Sequence, residues 1–95
     1  MWENITGYKK NINDEKNIEI WELKSEVIRI VITNNHILYK PKWIMHCDEI
    51  NIDTYLLTNC KSSDEAKIRS IAIVKNRINK LNREISRIER ENITS

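Results

Sequence analysis

From Ser62 to Glu91 the chain contains neither glycine nor proline, and Ile71, Val74, Ile78, Leu81, Ile85 and Ile88 recur at alternating spacings of three and four. That spacing is the period of one long amphipathic helix, and the six residues fit the a and d positions of nearly three heptads. Ser62-Ser63-Asp64-Glu65 opens the helix with the S-x-x-E spacing of a capping box, its acidic residues lying where the helix dipole favours them. About 28 helical residues span roughly 42 Å. Strands of six to eight residues cover only ~20–27 Å. The last turns must therefore overhang any sheet the chain can build. Leu81, Ile85 and Ile88 then need cover, from the N-terminal strand or the 9–16 loop within the chain, or from another molecule.

The residues before the helix read as strands. Ile18-Glu19-Ile20-Trp21-Glu22-Leu23 mixes β-branched, aromatic and charged residues as a half-buried strand does. Val27-Ile28-Arg29-Ile30-Val31-Ile32 alternates most cleanly, with Ile28, Ile30 and Ile32 on one face. Asn34-Asn35 follows, and asparagine tolerates positive φ, so a two-residue hairpin returning through His36-Ile37-Leu38-Tyr39 is expected. Pro41, the only proline, ends that strand or sits on an edge. Trp43-Ile44-Met45-His46-Cys47 is a further strand, Ile50-Asn51-Ile52 another candidate, and Trp2 to Tyr8 an extra one before a polar loop from Lys9 to Lys16. Strands followed by a terminal helix, without βαβ alternation, predict an α+β fold. The expected form is one domain over 1–95: an antiparallel sheet of about four or five strands within 1–60, the helix over 62–91, and a frayed tail at 92–95. Ile28, Ile30, Ile32, Ile68, Ile71 and Val74 are expected to be buried together. Trp2, Trp21 and Trp43 are expected in the core.

At 40% hydrophobic and 32% charged, the chain is globular rather than disordered. No apolar run approaches the ~18 residues of a membrane span, and the N-terminus lacks a basic-then-apolar signal segment. Ile, Asn and Lys together make 40 of the 95 residues, the signature of A/T-rich codons, so the lysines are partly a codon effect. A net charge of +2 does not demand a polyanionic partner.

Two surfaces of the helix invite partners. Its front half adds Ile68, Ala72 and Ile73 to the apolar face, as packing on a sheet requires, while the back half narrows to the seam Ile78, Leu81, Ile85 and Ile88, which suits another helix. That seam is the candidate dimer or partner interface. In a parallel self-pairing Glu84 would meet Glu89 of the other copy, which repels. An antiparallel pairing centred near Leu81 brings Arg77 towards Glu84 and Lys75 towards Glu89. On the opposite face Lys80, Arg83, Arg87 and Arg90 are spaced to track a phosphate backbone, or form an ordinary solvated helix back with Glu84 and Glu91 interspersed. No stacking-aromatic motif, helix-turn-helix or zinc finger accompanies them.

Chemistry-bearing motifs are sparse. Gly7 is the only glycine, so a glycine-rich phosphate loop cannot form. Cys47 and Cys60 lack a Cys-x-x-Cys partner and are expected as free thiols in a reducing compartment. A zinc site would need two more ligands from His36, His46, Asp48 or Asp53, and adjacent strand residues such as His46 and Cys47 point to opposite faces. His36 and His46 could act as general bases, and Asp48, Glu49 and Asp53 form an acidic cluster, but no nucleophile motif stands beside them. The expectation is no catalytic residue, no metal and no cofactor.

With residues 17–57 as strands, 62–91 as a helix and no active-site motif, the whole-chain layout resembles small phage-encoded anti-defence proteins, including anti-CRISPR proteins. The resemblance implies a non-catalytic inhibitor in the cytoplasm of a bacterial host, covering a working surface of a host protein or ribonucleoprotein complex stoichiometrically. The alternative is a small nucleic-acid-binding regulator using the basic helix face, and a third reading is a toxin-like ribonuclease using His36 or His46.

Overall fold

The structure is a computed structural model, described here over residues 1–6 and 18–93. Five strands follow one another in sequence: β1 (Trp2–Asn4), β2 (Ile20–Lys24), β3 (Arg29–Thr33), β4 (Ile44–Cys47) and β5 (Ile52–Leu56). Each pairs antiparallel with its chain neighbour, giving a meander in the order β1-β2-β3-β4-β5. One helix, α1 (Ser63–Ile93), follows and lies on one face, so the α+β class and the strand count agree with the sequence. Of the expected first strand, Gly7 and Tyr8 lie outside the described residues, as does the loop expected from Lys9 to Lys16.

Side-chain alternation builds the core. Register places Trp2 opposite Leu23 and Leu23 opposite Ile30; in the next row Trp21 faces Ile32 and Ile32 faces Met45. Residues directly opposite in antiparallel strands share a face, so these rows form the floor on which the helix rests. Ile30, Ile32, Trp43, Met45, Cys47, Ile52 and Leu57 are all buried there, with Trp2 and Trp21 partly buried against them. The three tryptophans thus serve the core.

The helix begins as its cap predicts. Ser62 Oγ accepts the Glu65 backbone N–H at 3.2 Å, and the Ser62 carbonyl accepts from Ala66 N–H at 3.0 Å. Its sheet-facing row differs from the expectation. Ala66, Ser70 and Val74, spaced four apart, are buried, whereas Ile68 is 73% exposed and Ile71 is 36% exposed. The floor is already filled by Trp43, Ile32 and Met45, and at close-packed density only small side chains let a helix approach such a surface. Polarity does not oppose the choice, because the Ser70 hydroxyl donates to the Lys67 carbonyl at 2.9 Å. Ile28, also expected in the core, is only partly buried and packs against its margin.

A second correction concerns the β3–β4 connection. Asn34-Asn35 does not turn the chain into a strand at His36–Tyr39. Asn34 Oδ1 instead accepts the Glu19 N–H at 2.8 Å, holding the entry to β2, and the chain runs through turns before β4. Pro41 lies in this connection, after a cis peptide bond from Lys40, and neither ends a strand nor edges the sheet. The place opposite β3 goes to Ile44–Cys47, because Ile44, Met45 and Cys47 are fully buried there. Register follows the set of side chains that can be buried. Likewise Asp48–Ile50 form a single 3-10 turn closed by Asn51 in the left-handed region at φ 59°, and β5 starts only at Ile52.

The helix outruns the sheet. Arg77 Nη1 donates to the Ile50 carbonyl at 3.4 Å, and every residue from Ile78 to Asn92 is exposed. The resulting body is 63 Å long, with a radius of gyration of 16.5 Å. A compact chain of this length would have about 12 Å.

Candidate protein-binding surfaces

The two ends of the molecule can be placed from the strands. Asp48–Ile50, after β4, sit at the end that Arg77 reaches, so α1 projects beyond that end. Residues 34–43 connect Thr33 to Ile44, which are register partners, and therefore lie at the opposite end. Each end carries exposed apolar side chains.

On the projecting helix Ile78, Leu81, Ile85 and Ile88 are 38%, 45%, 56% and 51% exposed. They form the seam expected from the sequence. β1 pairs at the sheet edge with β2, and the 9–16 loop, the other cover expected within the chain, lies outside the described residues. Lys80, Arg83, Arg87 and Arg90 are exposed as well, and their spacing puts them on the helix face away from the seam. Arg87 Nη2 is tied to Glu84 Oε2 at 3.1 Å.

At the other end Ile37 is 82% exposed, Leu38 77% and Tyr39 36%. Their backbone is held by its own hydrogen bonds. The His36 carbonyl accepts from Tyr39 N–H at 3.0 Å and Lys40 N–H at 2.8 Å, and the Tyr39 carbonyl accepts from Lys42 N–H at 2.8 Å. His36 Nδ1 accepts the Leu38 N–H at 3.2 Å, and its ring lies 5.2 Å from that of Tyr39. His36 is therefore a structural member of this turn. The sequence reading missed the surface because the apolar run passed for a strand; the signal was its bracketing by Asn34-Asn35 and Lys40-Pro41-Lys42.

His46 sits apart from His36, on the sheet face away from the helix, opposite Val31. Between Met45 and Cys47 the register slips, because β5 carries one extra residue. Thr54 takes up the slip at φ 49°, a left-handed backbone that is costly for a β-branched residue. His46 Nδ1 consequently meets two groups, Asp53 Oδ1 at 3.0 Å and the Thr54 N–H at 3.1 Å. One nitrogen cannot donate to the carboxylate and accept from the amide at once, so protonation at Nδ1 selects Asp53 and its lone pair selects Thr54. The acidic cluster is dispersed. Asp53 faces His46, Asp48 starts the 3-10 turn, and Glu49 Oε1 accepts the Arg29 N–H at 2.9 Å. That bond holds the Glu49 carboxyl below its usual range.

Cys47 and Cys60 are free thiols. Burial pushes both upward from the usual thiol value, and the Glu49 carboxylate adds to the effect at Cys47. Among the described residues no group of three or more His, Cys, Asp and Glu is placed to hold a metal ion, and no helix is long and apolar enough to cross a membrane. Between the β5 edge and α1 runs a mixed crevice lined by Tyr55, Leu57, Arg69, Ile73 and Asn76.

Comparison with protein-family models, with curated proteins and with solved structures finds no match for this chain.

Proposed function

We propose that this protein is a non-catalytic, protein-binding inhibitor of the phage anti-defence (anti-CRISPR) kind, which occludes a host protein or ribonucleoprotein complex stoichiometrically in the bacterial cytoplasm. The observation that carries the reading is the turn at Ile37-Leu38-Tyr39. Three consecutive large apolar residues stand in solvent on a backbone already ordered by its own hydrogen bonds. Exposed apolar patches mark interaction sites, and an aromatic anchor on an ordered backbone loses little entropy on binding. Occlusion by such a surface needs no turnover.

The alternative, a nucleic-acid-binding regulator, draws on Lys80, Arg83, Arg87 and Arg90 along the projecting helix. The pairing of Arg87 with Glu84, and Glu91 on the same stretch, reduce the net field that stripe presents.

The test is affinity capture from a lysate of bacteria that carry a defence system, with and without nuclease, using the unmutated chain and the variant Ile37→Asp with Leu38→Asp. The expected result is a nuclease-resistant protein partner recovered at fixed stoichiometry and lost with the variant, together with relief of phage restriction by the unmutated chain alone. Loss of every partner after nuclease treatment would move the reading to the nucleic-acid alternative.

A further inference from the structure

Val74, Leu81 and Ile88 lie at seven-residue steps, a spacing that drifts by only about 20° per step on a straight helix. Val74 is 6% exposed because the sheet covers it, while Leu81 and Ile88 are 45% and 51% exposed. The face buried against the sheet in the first half of α1 thus continues, uncovered, through the second half. We propose that a second copy of this chain covers it, through antiparallel pairing of residues 78–88 of the two helices. This assignment is independent of the function proposed above.

The register follows from what the sheet already occupies. A seam using all six heptad positions would lay the other helix over Ile71 and Val74, where the sheet lies against the Val74 side. Moving the pairing outward leaves four apolar layers: Ile78 opposite Ile88 of the second copy, Leu81 opposite Ile85, and the two reciprocal layers. In this register Lys75 flanks the second copy's Glu89, and Arg77 flanks its Glu91. Asn82 meets Asn82 near the two-fold axis. Glu84 also approaches its own counterpart there, each accompanied by an Arg87 guanidinium at 3.1 Å. The alternative parallel arrangement sets Glu84 against Glu89 and places both sheets side by side at one end.

Length agrees with the antiparallel choice. Residues 78–88, which oppose one another in this register, span about 16 Å, and the last turn of each helix, 89–93, reaches residues 73–77 of the other at the margin of its sheet. The last turn of the second helix then continues the layer that the sheet begins. The turns at Ile37-Leu38-Tyr39 face outward at the two far ends, so one assembly displays two copies of that surface.

Size-exclusion chromatography with light scattering at tens of micromolar is expected to return twice the 11.4 kDa chain mass. Leu81→Glu with Ile85→Glu should return the single-chain mass with an unchanged circular dichroism spectrum and a melting temperature that no longer rises with protein concentration. Register is tested separately by Asn82→Cys in a Cys60→Ser background. It should oxidise to a covalent dimer, because residue 82 meets itself in this register, whereas Ser86→Cys in the same background should not. A single-chain mass for the unmutated protein, or equal cross-linking at 82 and 86, would overturn the proposal. If the double glutamate variant fails to fold, the cysteine pair still decides it.

Discussion

Glu49 shows how one side chain can join separate parts of the meander. Its carboxylate accepts the Arg29 N–H at the start of β3 while sitting in the turn after β4, so it closes the end from which the helix departs. Because this bond lowers the carboxyl's folded-state pKa, its contribution is fully present above the ordinary value of 4.5 and is lost as pH falls through the lower folded value. Glu49→Gln keeps an acceptor but removes the charge. Urea unfolding should therefore find the variant less stable than the unmutated chain at neutral pH, with the two midpoints converging in strong acid. A pH-independent difference would show that shape, not charge, holds the turn. Thr54 is another residue governed by its neighbours, since its left-handed backbone arises from the extra residue of β5 and not from any preference of threonine.

Among the elements, β3 and α1 were the most legible, and for different reasons. β3 alternates apolar and mixed residues, and Ile30 and Ile32 are buried on the expected side at 3% and 0% exposure. Ile30→Ala should cost about 2–5 kcal/mol, the range for truncating a large core side chain. Ile68→Lys, by contrast, should change stability by less than about 0.5 kcal/mol, as at other exposed positions. Measuring both by denaturant unfolding checks the rotation of the helix directly: a large loss at Ile68 would restore it to the core. The boundaries of α1 were readable because its cap and its freedom from glycine and proline are local properties. Which of its faces meets the sheet was not readable, because Ala66 and Ser70 win by being small rather than by being apolar. The hairpin through Asn34-Asn35 misled for a similar reason. Local turn chemistry permitted it, but Ile44, Met45 and Cys47 could be buried opposite β3, and Ile37, Leu38 and Tyr39 stand in solvent.

On the scale of the whole molecule, a sheet at one end and a bare helix at the other make an elongated body with separated surfaces, 63 Å from end to end. The basic stripe Lys80, Arg83, Arg87 and Arg90 lies on the bare part and is offset by Glu84 and Glu91. Binding to duplex DNA at physiological salt should accordingly be weak and without sequence preference, falling steeply with salt as phosphate contacts do. Fluorescence anisotropy with labelled duplexes measures this. Selective sub-micromolar binding, abolished by Arg83→Glu with Arg87→Glu, would instead identify the stripe as a recognition surface.

Periodicity alone determined the separation of the strands from the helix and the helix's excess length, since each follows from spacing and from rise per residue. It also determined that a seam at Ile78, Leu81, Ile85 and Ile88 would emerge beyond any sheet of this chain. Tertiary structure decided which apolar residues became core. Burial is a competition for limited space, settled by volume and register over the whole sheet, and Ile68, Ile71 and Ile37 lost it to Ala66, Ser70 and Met45. It decided as well that the exposed turn and the projecting seam lie at opposite ends, because their separation depends on the direction in which α1 crosses the sheet, and no residue pattern along the chain encodes that direction.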